Sequence, residues 1–510
     1  MSELLSIDRR TGEVIEPVAD ETEPDELDAI CDAAEEAADG LPSLGLEGRA
    51  QLLEKMAQRL ESNRRELIEV ADRETALGST RLEGELSRTA FQFRFLAGVI
   101  RDGALIEATI DHAKASEMGQ LPDMRRMLIP VGPVAVFGAS NFPFAFSVPG
   151  GDTASVIAAG CPVVVKAHPA HPATSRRCVE ALRGAVNASG APTGTIGLVH
   201  GLQVGVALVR HRSIRAVGFT GSQYAGRALF DVAAAREDPI PFYGELGSVN
   251  PVVVTPKAAT ERPEEIAQGF VASFTLSLGQ FCTKPGLIFV PRAKESGPLR
   301  DAIRSLVEDL EPGVMLTADL TSGFQSGTDR FASFGEVVEL ARGKRSDEEA
   351  GLAVPRLFGV TAAELAGPGG ETLRQECFGP VALVVEYSSE DELLAALGAL
   401  DPALAAAIEI GDGEVDLPSL VEARLVSRVG RLVVNGFTTG VGITWSTHHG
   451  GPYPSSTSEL HSSVGASAVR RWLRPICYQS TPESLLPPEL RDDNPLGLPR
   501  RVDGRYVAAP

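Results

Sequence analysis

The sequence predicts an α/β fold: two successive parallel-sheet units, each wound with helices on both faces. Three observations predict it. The chain has 510 residues, too many for one ordinary core, so two or three domains are expected. From Pro130 onward, short β-branched runs alternate with helical stretches. The early runs start about 30 residues apart, the length of a strand–helix–strand unit, which calls for a parallel sheet covered on both faces.

The first hundred residues read as helices. Thr22-Glu23-Pro24-Asp25 combines a capping Thr, a Pro for the first turn and acids for the positive end of the dipole. Leu27, Ile30, Cys31 and Ala34 follow at helical spacing up to Gly40. Leu52, Leu53, Met56 and Leu60 mark a second amphipathic helix, and residues 90–100 a third. The strands then begin: 133–137, 162–165, 196–199 and 214–219 in one set, and 287–290, 381–387, 405–410 and 432–434 in another. The chemically loaded phrases fall between the two sets, which places a site in a cleft between them. Residues 480–510 are Pro-rich and read as an irregular tail held to the surface.

Composition excludes several classes. The formal charge of −21, from 47 basic and 68 acidic residues, disfavours nucleic acid and anionic membranes as partners. The six cysteines show no CxxC pair, the pattern of reduced thiols in a cytoplasmic protein. Residues 1–10 lack a basic segment followed by an apolar one, so no signal peptide is expected. The most apolar stretch, 128–139, is broken by Pro130, Gly132, Pro133 and Gly138, and no membrane span is expected. His168 and His171 could mimic a metal pair, but no third ligand accompanies them and no metal is expected.

Two phrases carry the chemistry. Gly279-Gln280-Phe281-Cys282-Thr283 sets a lone thiol in a short Gly-flanked segment, and Gly244-Glu245-Leu246-Gly247 sets a lone carboxylate between glycines. A thiol can form a covalent adduct, and a carboxylate can activate the water that clears it. Phe219-Thr220-Gly221-Ser222 follows a strand and opens a helix, which suits either a phosphate or an ordinary turn. Asn141, in Ser140-Asn141-Phe142-Pro143, is an oxyanion donor or a turn former. Lys166 ends a strand where ribose hydroxyls or a phosphate are met, or it is simply solvated there. Glu376, before Cys377-Phe378-Gly379-Pro380, could hold a ribose diol. No phrase pairs a histidine with Cys282, which sets aside a cofactor-free cysteine hydrolase.

Taken in order, Asn141-Phe142-Pro143, Lys166, Phe219 to Ser222, Glu245-Leu246-Gly247, Gln280-x-Cys282 and Glu376-x-Phe378-Gly379-Pro380 resemble the NAD(P)-dependent aldehyde dehydrogenase superfamily over residues 5–480. Within it, residues 166–172, 449–454 and 474–479 look most like the 2-oxoglutarate semialdehyde (2,5-dioxovalerate) dehydrogenases and their NADP-linked long-chain relatives. The resemblance implies an aldehyde dehydrogenase-like fold. Its dinucleotide-binding domain would be 1–115 and 134–247, its catalytic domain 248–465, and its bridging or oligomerisation element 116–133 with 466–510. It implies Cys282 as nucleophile, Glu245 as base for water, and Asn141 with the Cys282 backbone N–H as oxyanion hole. Lys166 and Glu376 would hold the cofactor riboses, Gly221 and Ser222 would face its pyrophosphate, and Phe378 would pack near the nicotinamide ribose. Ser140, His168 and Pro169 fall on the cofactor side.

The implied reaction converts a small aldehyde, 2-oxoglutarate semialdehyde first, to its acid through a cysteine thioester, in a homodimer or homotetramer. A broad-specificity or long-chain aldehyde oxidiser is the alternative. An acylating, CoA-dependent reaction would leave Glu245 without a task. Pro169 stands where NAD-preferring relatives often carry an acid, so NADP is the expected cofactor, with NAD also accepted. Phe437 to Val441 and Ser446-Thr447-His448 depart from the phrases usual along the family's substrate tunnel.

Overall fold

The computed structural model describes residues 3–292, 296–344 and 351–508. The first set of β-branched runs forms a five-stranded parallel sheet. Its order is Phe242–Leu246, Ala216–Gly221, Val134–Phe137, Val163–Lys166, Ile196–Val199. Successive side chains leave a strand on opposite faces. Val134, Val136, Val163 and Val165 accordingly join one apolar cluster, packed under helices Gly45–Ser62, Ser79–Asp102 and Pro172–Ser189. Ala135, Phe137 and Val164 join the other, with residues of Pro24–Gly40 and Gln203–Arg210.

The second set forms a seven-stranded sheet. Its order is Val338–Arg342, Arg356–Thr361, Val381–Tyr387, Pro285–Pro291, Asn250–Val254, Ala403–Glu409, Val429–Val434. All its pairs are parallel except the antiparallel Val338–Arg342 edge. Leu287 and Phe289 face one core, and Ile288 and Val290 the other. The expected α/β class with parallel sheets is thus the observed one.

Several elements differ from the sequence reading. Before the first helix, Glu3–Ile7 and Val14–Asp20 form an antiparallel hairpin. Thr22 does not cap the helix Pro24–Gly40; its hydroxyl accepts a bond from the His200 backbone N–H at 2.9 Å. Strands Phe242–Leu246 and Asn250–Val254 were hidden by Gly244, Glu245 and Pro251, residues that weaken a strand pattern. The tail is not irregular throughout. Arg500–Val502 pairs with Thr109–Asp111, and Arg505–Val507 folds back on it, extending a sheet built on Met124–Pro130 and Leu473–Gln479. Asp503 and Gly504 have φ of 47° and 80°, the Asp-Gly hairpin turn, so a local signal was present there.

Candidate active site

Cys282 and Glu245 come together because each ends a buried segment at the same cleft. Glu245 stands on the edge strand Phe242–Leu246, opposite Thr220 in parallel register. Cys282 follows a tight reversal in which Ser277, Leu278 and Gly279 have φ of 49°, 56° and 65°. A Cβ on Gly279 would lie 2.2 Å from the Gly379 carbonyl oxygen, so only glycine lets the loop pass there. Asn250 Nδ2 donates to the carbonyls of Cys282 at 2.9 Å and Lys284 at 3.0 Å. The buried Lys284 ammonium donates to the carbonyls of Cys377 at 3.0 Å and Val381 at 2.9 Å, tying the thiol loop to the Glu376 loop.

The structure adds a histidine that the sequence reading did not assign. His449 Nε2 lies 3.7 Å from Cys282 Sγ and 2.9 Å from Glu245 Oε1. No phrase of the sequence pairs a histidine with Cys282, because 167 positions separate the two; the fold supplies the pairing. Ser463 donates to Glu245 Oε2 at 2.7 Å, and Ser462 Oγ accepts from the His449 backbone N–H at 2.9 Å. Residues 449–463 reach the site because Ser456 bridges Glu245 in antiparallel fashion and the Leu246 N–H donates to the Ser455 carbonyl at 2.8 Å. The signal available in sequence was His449-Gly450-Gly451 itself, part of one of the phrases that carry the family resemblance.

Electrostatics follow from these contacts. Burial alone would raise the Glu245 carboxyl, but the His449 charge and bonds from His449 and Ser463 outweigh it and hold it down at about 2. Burial pushes the Cys282 thiol well up, and the Glu245 charge pushes it further. An ionised carboxylate only accepts hydrogen bonds, so Nε2 of His449 carries a proton aimed at Glu245. Among the described residues, the one grouping with metal-compatible spacing is Glu245, Cys282 and His449, within 4.8 Å of one another. His168 and His171 are not part of one; His171 Nε2 sits 3.1 Å from the Ala139 carbonyl.

Asn141 faces the thiol loop: its Nδ2 donates to the Gln280 carbonyl at 3.0 Å, and its second N–H meets no acceptor among the described residues. The turn that carries it is held by the helix Ser79–Asp102. Arg81 donates to the Asn141 carbonyl at 2.6 Å, and Glu85 Oε1 accepts from the N–H groups of Phe144 at 2.8 Å and Ala145 at 2.9 Å.

A cavity of ≈ 570 Å³ runs from Cys282, Glu245 and Asn141 to the end of the first sheet. Ser140, Lys166, His168, Pro169, Gly221, Ser222, Glu376 and Phe378 all line it, so every residue expected on the catalytic or cofactor side meets one space. Its size suits an extended organic cofactor. Glycines keep its walls close: a Cβ on Gly247 would lie 2.0 Å from Glu376 Oε2, and one on Gly226 2.2 Å from Leu246. Ser222 caps the helix Gln223–Ala234, accepting from the Ala225 N–H at 3.3 Å, which leaves other first-turn amides for an anion. Burial lowers the Lys166 ammonium to about 8 and pushes His168 well below the usual imidazole range. Burial also raises the Glu376 carboxyl to about 7.

Comparison with known proteins gives the same reading. Residues 2–471 match the aldehyde dehydrogenase family. The chain is 41% identical over 510 residues to alpha-ketoglutaric semialdehyde dehydrogenase 2 of Azospirillum brasilense, covering 98% of this chain and 96% of that one. It is 42% identical over 484 residues to alpha-ketoglutaric semialdehyde dehydrogenase of Acinetobacter baylyi, covering 94% and 91%. In fold it is similar to 1-pyrroline-5-carboxylate dehydrogenase from Thermus with bound NAD, with TM-score 0.79, 21% identity and coverage of 94% and 90%. It is equally similar to 3,6-anhydro-L-galactose dehydrogenase, with TM-score 0.79, 21% identity and coverage of 94% and 96%. With the family pattern spanning nearly the whole chain, this protein belongs to the aldehyde dehydrogenase family and is an oxidoreductase acting on aldehydes.

Proposed function

We propose that the enzyme oxidises 2-oxoglutarate semialdehyde to 2-oxoglutarate with NADP, through a thioester on Cys282. The observation that carries this reading is the convergence of Cys282, His449 and Glu245 at one end of the cavity lined by Lys166 and Glu376. The names of the two relatives above support the substrate.

The chain's own residues would act as follows. The Cys282 thiol gives its proton to the Glu245–His449 pair, and its sulfur adds to the aldehyde carbon. The free N–H of Asn141 and the Cys282 backbone N–H hold the resulting oxyanion. The nicotinamide, when bound, supplies the hydride acceptor. Collapse of the adduct leaves an acyl group on Sγ. The pair passes the thiol's proton to solvent, and Glu245 then takes a proton from water; the oxygen attacks the thioester, the Cys282 sulfur leaves and takes a proton back, and the acid is freed. His449 helps to keep Glu245 ionised for that step, its Nε2 lying 2.9 Å from the carboxylate and 3.7 Å from the sulfur.

Lys166 and Glu376 would hold the two riboses, with Gly221 and Ser222 at the pyrophosphate and Phe378 beside the nicotinamide ribose. Ser140, His168 and Pro169 complete the wall. The acids that line the cleft are Glu245 and Glu376; position 169 offers none to repel a 2′-phosphate. A cofactor-free cysteine hydrolase gains a histidine from this geometry, yet it would leave most of the cavity without an occupant.

The proposed domain limits are those given above. The half-buried edge strand Val429–Val434, exposed at Val434, and the exposed Met118 and Leu121 support a homo-oligomer, the latter two through the 116–133 element. A cytoplasmic location is supported by six free cysteines. No helix among the described residues is long and apolar enough to cross a membrane.

The test is kcat/KM across an aldehyde panel with NAD and NADP, with Cys282→Ser alongside. The semialdehyde with NADP should rank first. The serine variant should lose more than about 10³-fold in turnover and keep cofactor binding by calorimetry. Turnover within tenfold of wild type would transfer the nucleophile elsewhere.

A further inference from the structure

The helix Ser79–Asp102 presents Arg81, Glu85 and Arg88 on one face, at spacings of four and three. Two of them are committed. Arg81 and Glu85 lie 3.8 Å apart and hold the Asn141 turn. Arg88 is different. Its Nη2 donates to the Val441 carbonyl at 3.0 Å, and its Nη1 reaches Gln92 Oε1 only at 3.5 Å. A guanidinium has five N–H donors, so three find no acceptor in these two bonds. Among the described residues Arg88 forms no ion pair, in a protein of net charge −21. Glu245, the acid of the site, is already bonded to His449 and Ser463.

Its position is also particular. The guanidinium lies over the Phe146 ring at 5.6 Å. Phe146 lines the same cavity as Cys282, and its ring is 6.3 Å from that of His449. Burial lowers the Arg88 guanidinium; the charges of Glu85, first, and of Glu245 raise it, as would a Cys282 thiolate. A second cation stands nearby: Arg431 donates to the carbonyls of Gly440, at 2.8 Å, and Thr438. The loop 438–441 between the two arginines is bolted to Thr283, the neighbour of Cys282. Thr438 Oγ1 donates to the Thr283 carbonyl at 2.7 Å, and Thr283 Oγ1 accepts from the Gly440 N–H at 3.3 Å. These are the residues that depart from the family's usual phrase.

Withdrawing a guanidinium from water is unfavourable unless an anion and hydrogen bonds replace the lost hydration. A planar fork of unused donors stacked behind Phe146, a wall of the reaction cavity, matches a carboxylate in two-point fashion. We propose that Arg88 binds the carboxylate at the far end of the substrate, so that the enzyme selects aldehydes with an anionic terminus. The inference deepens the substrate reading above and rests on it. Arg431 is a positioning residue here: it fixes the loop that receives Arg88.

The test compares kcat/KM for 5-oxopentanoate and for pentanal, aldehydes of equal chain length with and without the carboxylate. In Arg88→Gln the acid-to-neutral ratio should fall about 10- to 100-fold, the effect of removing hydrogen bonds to a charged group, with the change in KM for the acid. Arg88→Lys should retain part of the preference. A ratio unchanged within about threefold, or an equal loss on both aldehydes, would overturn the proposal and leave Arg88 a support for the loop. The wild-type preference is read separately: an enzyme that favours pentanal would overturn the named substrate, whatever Arg88 does to the ratio. Should the Gln variant not fold, wild type and Arg88→Lys settle the question by alkylation. Glutarate should slow iodoacetamide attack on Cys282 in wild type and do so less in the variant; equal protection would count against Arg88.

Discussion

His449 Nε2 sits 2.9 Å from Glu245 Oε1, and both side chains are buried. That pairing decides the charge state of the site. Burial alone would raise the Glu245 carboxyl; the His449 charge and hydrogen bond, joined by bonds from Ser463 and Cys282, hold it at about 2, so it is ionised throughout the ordinary pH range.

Removing the imidazole should therefore move the pH profile. In His449→Ala the Glu245 carboxyl rises, and the acidic limb of kcat moves to higher pH. His449→Gln, which still donates a hydrogen bond, should shift it less. The limb of each variant is read from kcat between pH 5 and 9, a range of about four units around the unperturbed imidazole value. An unmoved limb in His449→Ala would mean that another group governs the profile. The stability sign follows too. A carboxyl depressed from 4.5 to about 2 stabilises the fold above the unfolded value and loses that contribution as pH falls through the folded one. Its share of acid denaturation lies between those two values.

Glu245→Gln should separate the two halves of the reaction. Reduced cofactor should still appear in a burst near one per site, after which steady turnover collapses as the thioester waits for water. Rapid mixing followed by mass measurement of the acyl adduct checks this. Steady turnover equal to wild type would make Glu245 structural.

Asn141→Ala removes the free N–H that faces the thiol loop. Hydride transfer should slow by about 10²–10³-fold, the usual effect of losing one oxyanion donor, with little change in aldehyde affinity. Its second consequence is local, since the bond to Gln280 is lost as well. Asn141→Asp, which keeps the shape but not the donor, should be as slow. Were only KM to rise in both variants, the residue would be a binding group.

Pro169→Glu introduces an acid beside Lys166 in the cleft. The kcat/KM ratio for NADP over NAD should fall, because a carboxylate there repels a 2′-phosphate and accepts from a 2′-hydroxyl. A wild type that favours NAD more than tenfold, unmoved by the substitution, would refute this account of the pocket.

Local patterns in the chain establish the α/β class, the two parallel sheets, and the thiol and carboxylate phrases; the roles of Asn141, Lys166 and Glu376 came from the resemblance of the ordered motifs, their local chemistry leaving each open. Those features are local: a strand announces itself by a β-branched run, and a phrase around Cys282 or Glu245 is read within a few residues. Strands with weak local signals were missed for the same reason, as Gly244 and Glu245 show in Phe242–Leu246. Tertiary structure alone decided what stands around the thiol. His449 and Ser463 reach Glu245 across 204 and 218 positions, and Arg88 meets Val441 across 353. Each of these contacts joins segments whose separation in sequence fixes no distance in space. A buried charge finds its partner by where the sheets and loops bring the chain, and that is settled only once both cores have packed.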